Sequence, residues 1–255
     1  DSLFYSSVQR LLQDFAFSNI DSHTLRDSLS SYSGIDLTDF FSYYVFDTIT
    51  HHFAIENCSF EENSAKVKII SHSQHDYNSP CHNIRLPITF MDSAFNRHET
   101  MIIDNGTREE HNFSLPFTPV AAFLDFDEEF FDLTTDSYKF ISEPGNYEFK
   151  NSYFKANVTA CQDSILLRPT LHWIGKNEQT TIEGVNRFSQ KHYWTIEGVN
   201  LDKADIDAKF YFKISFSERD FDNTLLQDYA AKDSLMLFYR EDATKPWHRI
   251  EANYP

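Results

Sequence analysis

Residues 66–69 read Lys-Val-Lys-Ile, and this alternation of charged and apolar side chains decides the fold class. Successive side chains of a β-strand point to opposite faces, so Val67 and Ile69 predict a strand that buries one face. Apolar or alternating runs follow and predict further strands at 84–90, 99–104, 109–115 and 120–126. Roughly six or seven strands within 90 residues is the spacing of a β-sandwich.

The dipeptide Asn105-Gly106 lies between two of these runs and predicts a hairpin that joins them. A turn-rich stretch at 142–146 separates this region from a second one. The second region has runs that predict strands near 147–155, 165–174, 192–199, 209–216, 235–240 and 247–252. We therefore expect two tandem β-sandwich domains of immunoglobulin or fibronectin-like type, over residues 53–140 and 141–255.

Residues 1–52 have a different pattern. Apolar side chains from Phe4 to Phe15 recur at spacings of three and four, which predicts an amphipathic helix. A second short helix is predicted from Ser22 to a stop near Gly34, and a third after Asp36. Three short helices bury their apolar faces poorly among themselves, so we expect them to pack on something else. The fold class is mainly β with an N-terminal helical segment.

The charge, the apolar runs and the cysteine count disfavour several classes of partner and structure. The formal net charge is −17, which disfavours nucleic acid and anionic membranes as partners. No run of about 18 apolar residues is present, so no membrane span is predicted. The three cysteines are too few for a disulfide framework; Cys58 and Cys81 fall in one predicted domain, but spacing alone does not decide whether they pair. A helical pattern from the outset, without a signal peptide, suggests a segment of a longer protein.

A search for catalytic motifs assigns no residue. The nearest approach to the zinc-hydrolase pattern HExxH is residues 98–102, where Ile102 replaces the second histidine. The nucleophile elbow GxSxG, the Walker loop and GxGxxG are also absent from the sequence. We therefore predict no catalytic, cofactor-binding or metal-binding residues and expect that this chain alone is not an enzyme.

Three clusters of polar or aromatic residues are candidate sites. A loop with five potential zinc ligands is explained equally well as a solvated hairpin tip: His72, His75, Asp76, Cys81 and His82. An acidic run fails the EF-hand pattern and is interpreted as an acidic turn: Asp125, Asp127, Glu128, Glu129, Asp132 and Asp136. Four aromatics either form a sugar platform or, as we favour, belong to the core: Trp173, Tyr193, Trp194 and Trp247. His51-His52 is interpreted as favouring the dipole at the end of the third helix.

One part of the chain resembles a known family. Residues 33–41, Ser-Gly-Ile-Asp-Leu-Thr-Asp-Phe-Phe, followed by Tyr43-Tyr44-Val45, are similar to a helix of the aminopeptidase N-like gluzincin metallopeptidases. Residues 115–117 and 120–125 are similar to the closing strand of the β domain that follows this helix in that family. Residues 163–168, 172–173, 193–194 and 237–240 resemble an extra module of large secreted Bacteroidetes peptidase-like proteins.

The resemblance implies a role. The zinc ligands and catalytic glutamates of the family belong to regions that this chain lacks, so none is carried over. It implies a non-catalytic accessory segment of an exported protein, secreted, periplasmic or at the cell surface, that contacts a peptidase-like domain. The alternative is a glycan- or peptide-binding module that uses edge strands, loops or exposed aromatics.

Overall fold

The computed structural model describes residues 2–47, 50–74, 76, 82–176, 182–185, 188–211 and 236–251. Within them the chain is mainly β, as predicted. The helices are α1 (Ser2–Asp14), α2 (Ser22–Ser33), α3 (Thr38–Phe41, extended by a π-turn over Ser42–Phe46) and a single 3₁₀ turn (Leu201–Lys203). No helix within these residues is both long and apolar enough to cross a membrane.

The described strands form several small sheets. Those of the first half are β1 (His51–Glu61), β2 (Ser64–Ser73), β3 (Ile84–Met91), β4 (Arg97–Asp104), β5 (Arg108–Ser114) and β6 (Ala121–Leu124). Those of the second half are β7 (Thr134–Asp136), β8 (Lys139–Ile141), β9 (Gly145–Phe149), β10 (Phe154–Cys161), β11 (Ile165–His172), β12 (Tyr193–Val199), β13 (Ala204–Phe210), β14 (Leu237–Tyr239) and β15 (His248–Ile250).

In the first half, the sheet β1-β2-β5 and the sheet β4-β3-β6 contribute side chains to one core. The alternation predicted for residues 66–69 is confirmed, because Val67 and Ile69 are fully buried while Lys66 points to solvent. The facing sheet adds Ile88 and Phe90, which are also fully buried. Burying a large apolar side chain contributes about 1.5–3 kcal/mol, so these inward faces hold the two sheets together.

In the second half, the sheet β13-β10-β9 and the sheet built on β11 share another core, with Phe149, Phe154 and Ile165 at its centre. A third cluster joins the halves, since Phe123 of β6 packs with Leu166 of β11. The described strands are arranged in several small, separate sheets. This arrangement confirms a mainly β fold but does not confirm the predicted tandem immunoglobulin-like domains.

Two sequence predictions about strands were wrong. Asn105-Gly106 does not close a hairpin, because β4 pairs with β3 whereas β5 pairs with β2 in the other sheet. Residues 106 and 107 form a bend, but the sheet that the next strand joins is set by pairing partners far away in the sequence. The strand predicted over 147–155 is interrupted at a turn where Tyr153 has a φ of 51°, and the chain returns there to pair β9 with β10. The strand predicted over 209–216 lies mostly outside the described residues.

Prolines in two central strands have a clear explanation. A proline cannot donate to a ladder and is usually confined to sheet edges. Pro169 falls in a gap on one side of β11, because β8 pairs with residues 165–167 and β7 with residues 170–172. Pro87 lies just before the residues of β3 that pair with β6. The same gap beside Pro169 leaves room for the polar cluster described below.

The C-terminus of α2 offers a first test. Gly34 has a φ of 69° and its N–H donates to the carbonyl of Ser30. A residue with a Cβ is strained there by about 1–2 kcal/mol. We expect Gly34→Ala to accelerate amide exchange in α2, whereas Ser31→Ala, on an exposed position of the same helix, leaves exchange unchanged or slows it. Equal exchange rates in the two variants would show that α2 does not depend on this cap.

Candidate functional site

The two halves meet along a row of buried polar side chains. We call His52 of β1, His72 of β2 and His172 of β11 the histidine chain. Nδ1 of His52 lies 3.3 Å from Nε2 of His72, and Nε2 of His52 lies 2.9 Å from Nδ1 of His172. β1 and β2 place His52 opposite His72 in their ladder, and the packing of the halves adds His172 from 120 residues away in sequence.

The ends of the chain determine where its protons lie. Nδ1 of His72 lies 3.0 Å from the carbonyl oxygen of Ser73, which can only accept, so this nitrogen carries the proton. Nε2 of His72 then accepts from His52, and Nε2 of His52 accepts from His172. The remaining nitrogen of His172 accepts from the hydroxyl of Thr195 at 3.0 Å. Three neutral imidazoles therefore form one continuous series of hydrogen bonds.

Burial keeps these imidazoles uncharged. It lowers the pKa of His52 and of His172 well below the ordinary value of 6.5, and it also lowers the pKa of His72. Tyr193 stacks on His172 with ring centroids 4.2 Å apart, and Nζ of Lys176 lies 4.4 Å from the centre of the tyrosine ring. The three rings follow one another in a line rather than surrounding a point, which suits a hydrogen-bonded connection and not the chelation of one ion.

A second polar cluster lies beside the histidine chain and is centred on Arg168 of β11. Its guanidinium donates to the carbonyls of Leu124 at 2.8 Å and Asp125 at 3.1 Å, and it also pairs with the carboxylate of Asp136. The carboxylate of Glu197 lies 3.9 Å away. One buried cation of β11 thus contacts acceptors at the end of β6, on β7 and on β12 and connects these strands. Removing it would leave several of these acceptors unpaired.

A cavity of about 40 Å³ separates the two clusters. It is lined by residues of both halves, including Phe53, Leu86, Asp132, Arg168, His172 and Glu197. Desolvation raises the pKa of Asp132 to about 6 and that of Glu197, whose side chain is 28% exposed, to about 7. This volume suits one or two water molecules, whereas small-molecule sites commonly occupy roughly 300–1,000 Å³.

The histidine-rich loop predicted from sequence is only partly described. His72 belongs to the histidine chain, and the N–H of Asp76 donates to the hydroxyl of Ser73 at 3.0 Å. His82 is exposed, and its backbone N–H donates to the hydroxyl of Tyr43. His75 and Cys81 lie outside the described residues, so the shared zinc site and the pairing of Cys58 with Cys81 stay untested.

The acidic run forms turns and internal ion pairs. The carboxylate of Asp125 accepts from the N–H groups of Glu129 and Phe130 at 2.7 and 2.9 Å. Asp132 accepts from Thr134, and Asp127 pairs with Arg97. These carboxylates therefore take their donors from the protein itself, in agreement with the acidic-turn interpretation.

The four aromatic residues do not form a single platform. The indole N–H of Trp173 donates to Thr135 at 2.9 Å, and that of Trp194 donates to the carbonyl of Ser152 at 2.7 Å. Tyr193 packs within the histidine chain, and Trp247 packs against Phe188. Their partly buried rings and engaged N–H groups fit a role in packing.

Sequence reasoning missed the central residues of this site. His51 and His52 begin β1 and do not lie in the last helical turn, so their assignment to a helix dipole was wrong. The sequence pattern predicts a strand that includes His172 and Arg168 and assigns neither residue a role. The available signal was the charged Arg168 inside the apolar run 165–171, since an arginine is almost never fully buried unless it is paired.

Comparisons with known proteins provide no further assignment. No family model, no curated protein and no solved structure matches this chain, so the similarity to aminopeptidase N-like proteins stays a prediction.

Proposed function

We propose that this chain is a non-catalytic accessory segment of a larger exported peptidase-like protein, with a bracing or interaction role. In this proposal the helical segment contacts a neighbouring peptidase-like domain, and the two β halves act as immunoglobulin-like sandwiches that hold it in place. The observation that carries the proposal is the apolar surface of α1.

α1 buries little of its apolar surface among the described residues. Its buried side chains are Ser7 and Leu11, whereas Phe4 is 61% and Leu12 is 68% exposed. Phe40 of α3 is also 46% exposed. Contiguous exposed apolar surface commonly marks an interaction site, because its burial contributes about 25 cal/mol for each Å² removed from water. A helix of this kind is suited to packing on another helical domain.

The interior of the β halves supports a bracing role. The histidine chain and Arg168 join strands of both halves through buried hydrogen bonds, and Phe123 and Leu166 add an apolar contact. Inter-domain motion is the default unless the interface is well packed. A connection that combines packed side chains with several buried hydrogen bonds gives the rigidity that a brace requires.

Two measurements test this proposal. The purified chain, supplied with zinc, is expected to give no turnover of amino-acid arylamides; turnover that co-purifies with the protein and is lost on chelation would reject a non-catalytic role. In the protein expressed from its whole reading frame, amide exchange in α1 is expected to be at least tenfold slower than in this chain alone. Unchanged exchange, or a reading frame without an adjoining domain, would reject the docking role.

A specific feature favours the alternative of a peptide-binding module. β4 is an edge strand, and Met101 and Ile103 on its outer face are 51% and 47% exposed. An extended peptide can add to such an edge through main-chain hydrogen bonds, with alternate side chains giving specificity. If a peptide library selects ligands whose binding is lost in Ile103→Lys but retained in Leu12→Lys, this alternative is preferred over docking through α1.

A further inference from the structure

We propose that Asp104, Glu109 and His111 form a binding site for a divalent transition-metal ion of the Zn²⁺ type. The three residues lie where the chain passes from one sheet of the first half to the other, at the end of β4 and the start of β5. The site is separate from the histidine chain and does not depend on the accessory role proposed above.

Strand geometry explains why these side chains meet. Glu109 and His111 are two positions apart on β5, so both point to its inner face, while Glu110 between them points outward. Asp104 is the last residue of β4 in the opposite sheet. One potential ligand atom from each residue lies within 4.8 Å of those of the other two. Gly106 allows this approach, since a Cβ there would lie 3.1 Å from Cγ of Glu109.

Asp104 points to a missing partner. Its side chain is fully buried, and neither carboxylate oxygen has a hydrogen-bond partner among the described residues. Burial raises the pKa of this carboxyl group to about 6, although the Ser71 hydroxyl and the Gly106 amide lie close enough to oppose part of that rise; neither makes a hydrogen bond to it. Nε2 of His111 is likewise buried without a hydrogen bond. A buried charge is strongly disfavoured unless it is paired or coordinates a metal.

The donor set indicates the kind of ion. One imidazole and two carboxylates suit Zn²⁺, with bonds of about 2.0–2.2 Å, whereas Ca²⁺ takes oxygen ligands only. The nearby cations Lys68 and Arg108 both pair with Glu56. Among the described residues, no ion pair joins either of these two cations to Asp104 or Glu109, and the nearest basic group to Glu109 is Nε2 of His111 at 3.6 Å from Oε2. The N–H of Asn105 donates to Oε2 of Glu109 at 3.2 Å and orients that carboxylate.

Zinc titration of metal-free, untagged protein tests the site. The unaltered chain is expected to bind one equivalent of Zn²⁺ more tightly than Ca²⁺ and to melt at a higher temperature with zinc. His111→Asn and Glu109→Gln are expected to weaken zinc binding about 10–100-fold and to remove the melting shift. Glu110→Gln, the outward neighbour on the same strand, is the matched control and keeps both.

Other results would overturn the inference. Zinc binding that survives His111→Asn and Glu109→Gln but is lost in His75→Asn with Cys81→Ser would assign the metal to the 72–82 loop instead. Absence of a zinc-dependent melting shift in a folded chain, combined with a higher melting temperature of metal-free Asp104→Asn, would identify Asp104 as a buried, protonated carboxyl group. Folding of each variant is checked by circular dichroism, and Glu109→Gln keeps the test decisive if Asp104→Asn unfolds.

Discussion

Replacing Arg168 with methionine is expected to lower the free energy of unfolding by about 3–5 kcal/mol. Methionine keeps much of the aliphatic volume but has no donors for the carbonyls of Leu124 and Asp125 or for the carboxylate of Asp136. The side chain of Arg168 is 4% exposed and that of Asp136 is 3% exposed, so the carboxylate left unpaired is largely shielded from bulk water. Equilibrium unfolding in urea at pH 7.5 measures the loss.

Arg97→Met provides the matched control. Arg97 also pairs with two carboxylates, those of Glu99 and Asp127, and its guanidinium also lies near the ring of Phe126, but its side chain is 33% exposed. Exposed ion pairs contribute about 0–1 kcal/mol, so this variant is expected to remain close to the unaltered protein. The double variant Arg168→Met with Asp136→Leu is expected to recover part of the loss, because it removes the unpaired carboxylate as well as the cation.

We call the histidine chain and the Arg168 cluster, which lie between the two halves, the seam. Equal losses of unfolding free energy in Arg168→Met and Arg97→Met would contradict this account of the seam. They would mean that the Arg168 cluster is hydrated, and that the apolar contact of Phe123 with Leu166 joins the two halves without help from the polar groups.

Local features of the fold were predictable because they depend on neighbouring residues. The period of two at Val67 and Ile69 follows from strand geometry, and the stop of α2 at Gly34 follows from a left-handed φ that glycine adopts without strain. The seam could not be predicted in the same way. His52 meets His172 only after two separate sheets have packed together, and no pattern within either segment specifies that contact.

The site residues show the same contrast between local patterns, which the sequence reveals, and long-range contacts, which it does not. The sequence pattern assigns Arg168 no role, although it lies in an apolar run. Its partners come from a turn and from strands on both sides of a gap that only the sheet topology reveals. Asn105-Gly106 was wrongly assigned to a hairpin, because the chain crosses there from one sheet to the other. That error concealed the meeting of Asp104 with Glu109 and His111, which requires the turn to cross between sheets.

The largest pH effect is expected from His52→Phe. At pH 7.5 this variant removes the hydrogen bonds that His52 makes with His72 and His172, and each buried group left unpaired costs roughly 1–3 kcal/mol. His52 has a lowered pKa in the folded protein, so it is neutral there when the unfolded chain begins to take up protons below pH 6.5. Its contribution is therefore complete above pH 6.5 and is lost as the pH falls toward its folded pKa.

The difference in stability between the unaltered protein and His52→Phe should consequently shrink on acidification. One proton taken up only by the unfolded chain corresponds to about 1.4 kcal/mol for each pH unit, or up to about 2 kcal/mol between pH 6.5 and pH 5. The raised pKa values of Asp132 and Glu197 act in the opposite direction, since ionising these carboxyl groups costs stability as the pH rises, but they are common to both proteins and cancel. Thr195→Val removes a donor to His172 without removing a titrating group, so its deficit is expected to be the same at every pH. Urea unfolding at half-unit steps from pH 5 to 8 gives both curves; a pH-independent deficit in His52→Phe would show that His52 takes up its proton in the folded and unfolded chains alike, and the neutral histidine chain would then have to be abandoned.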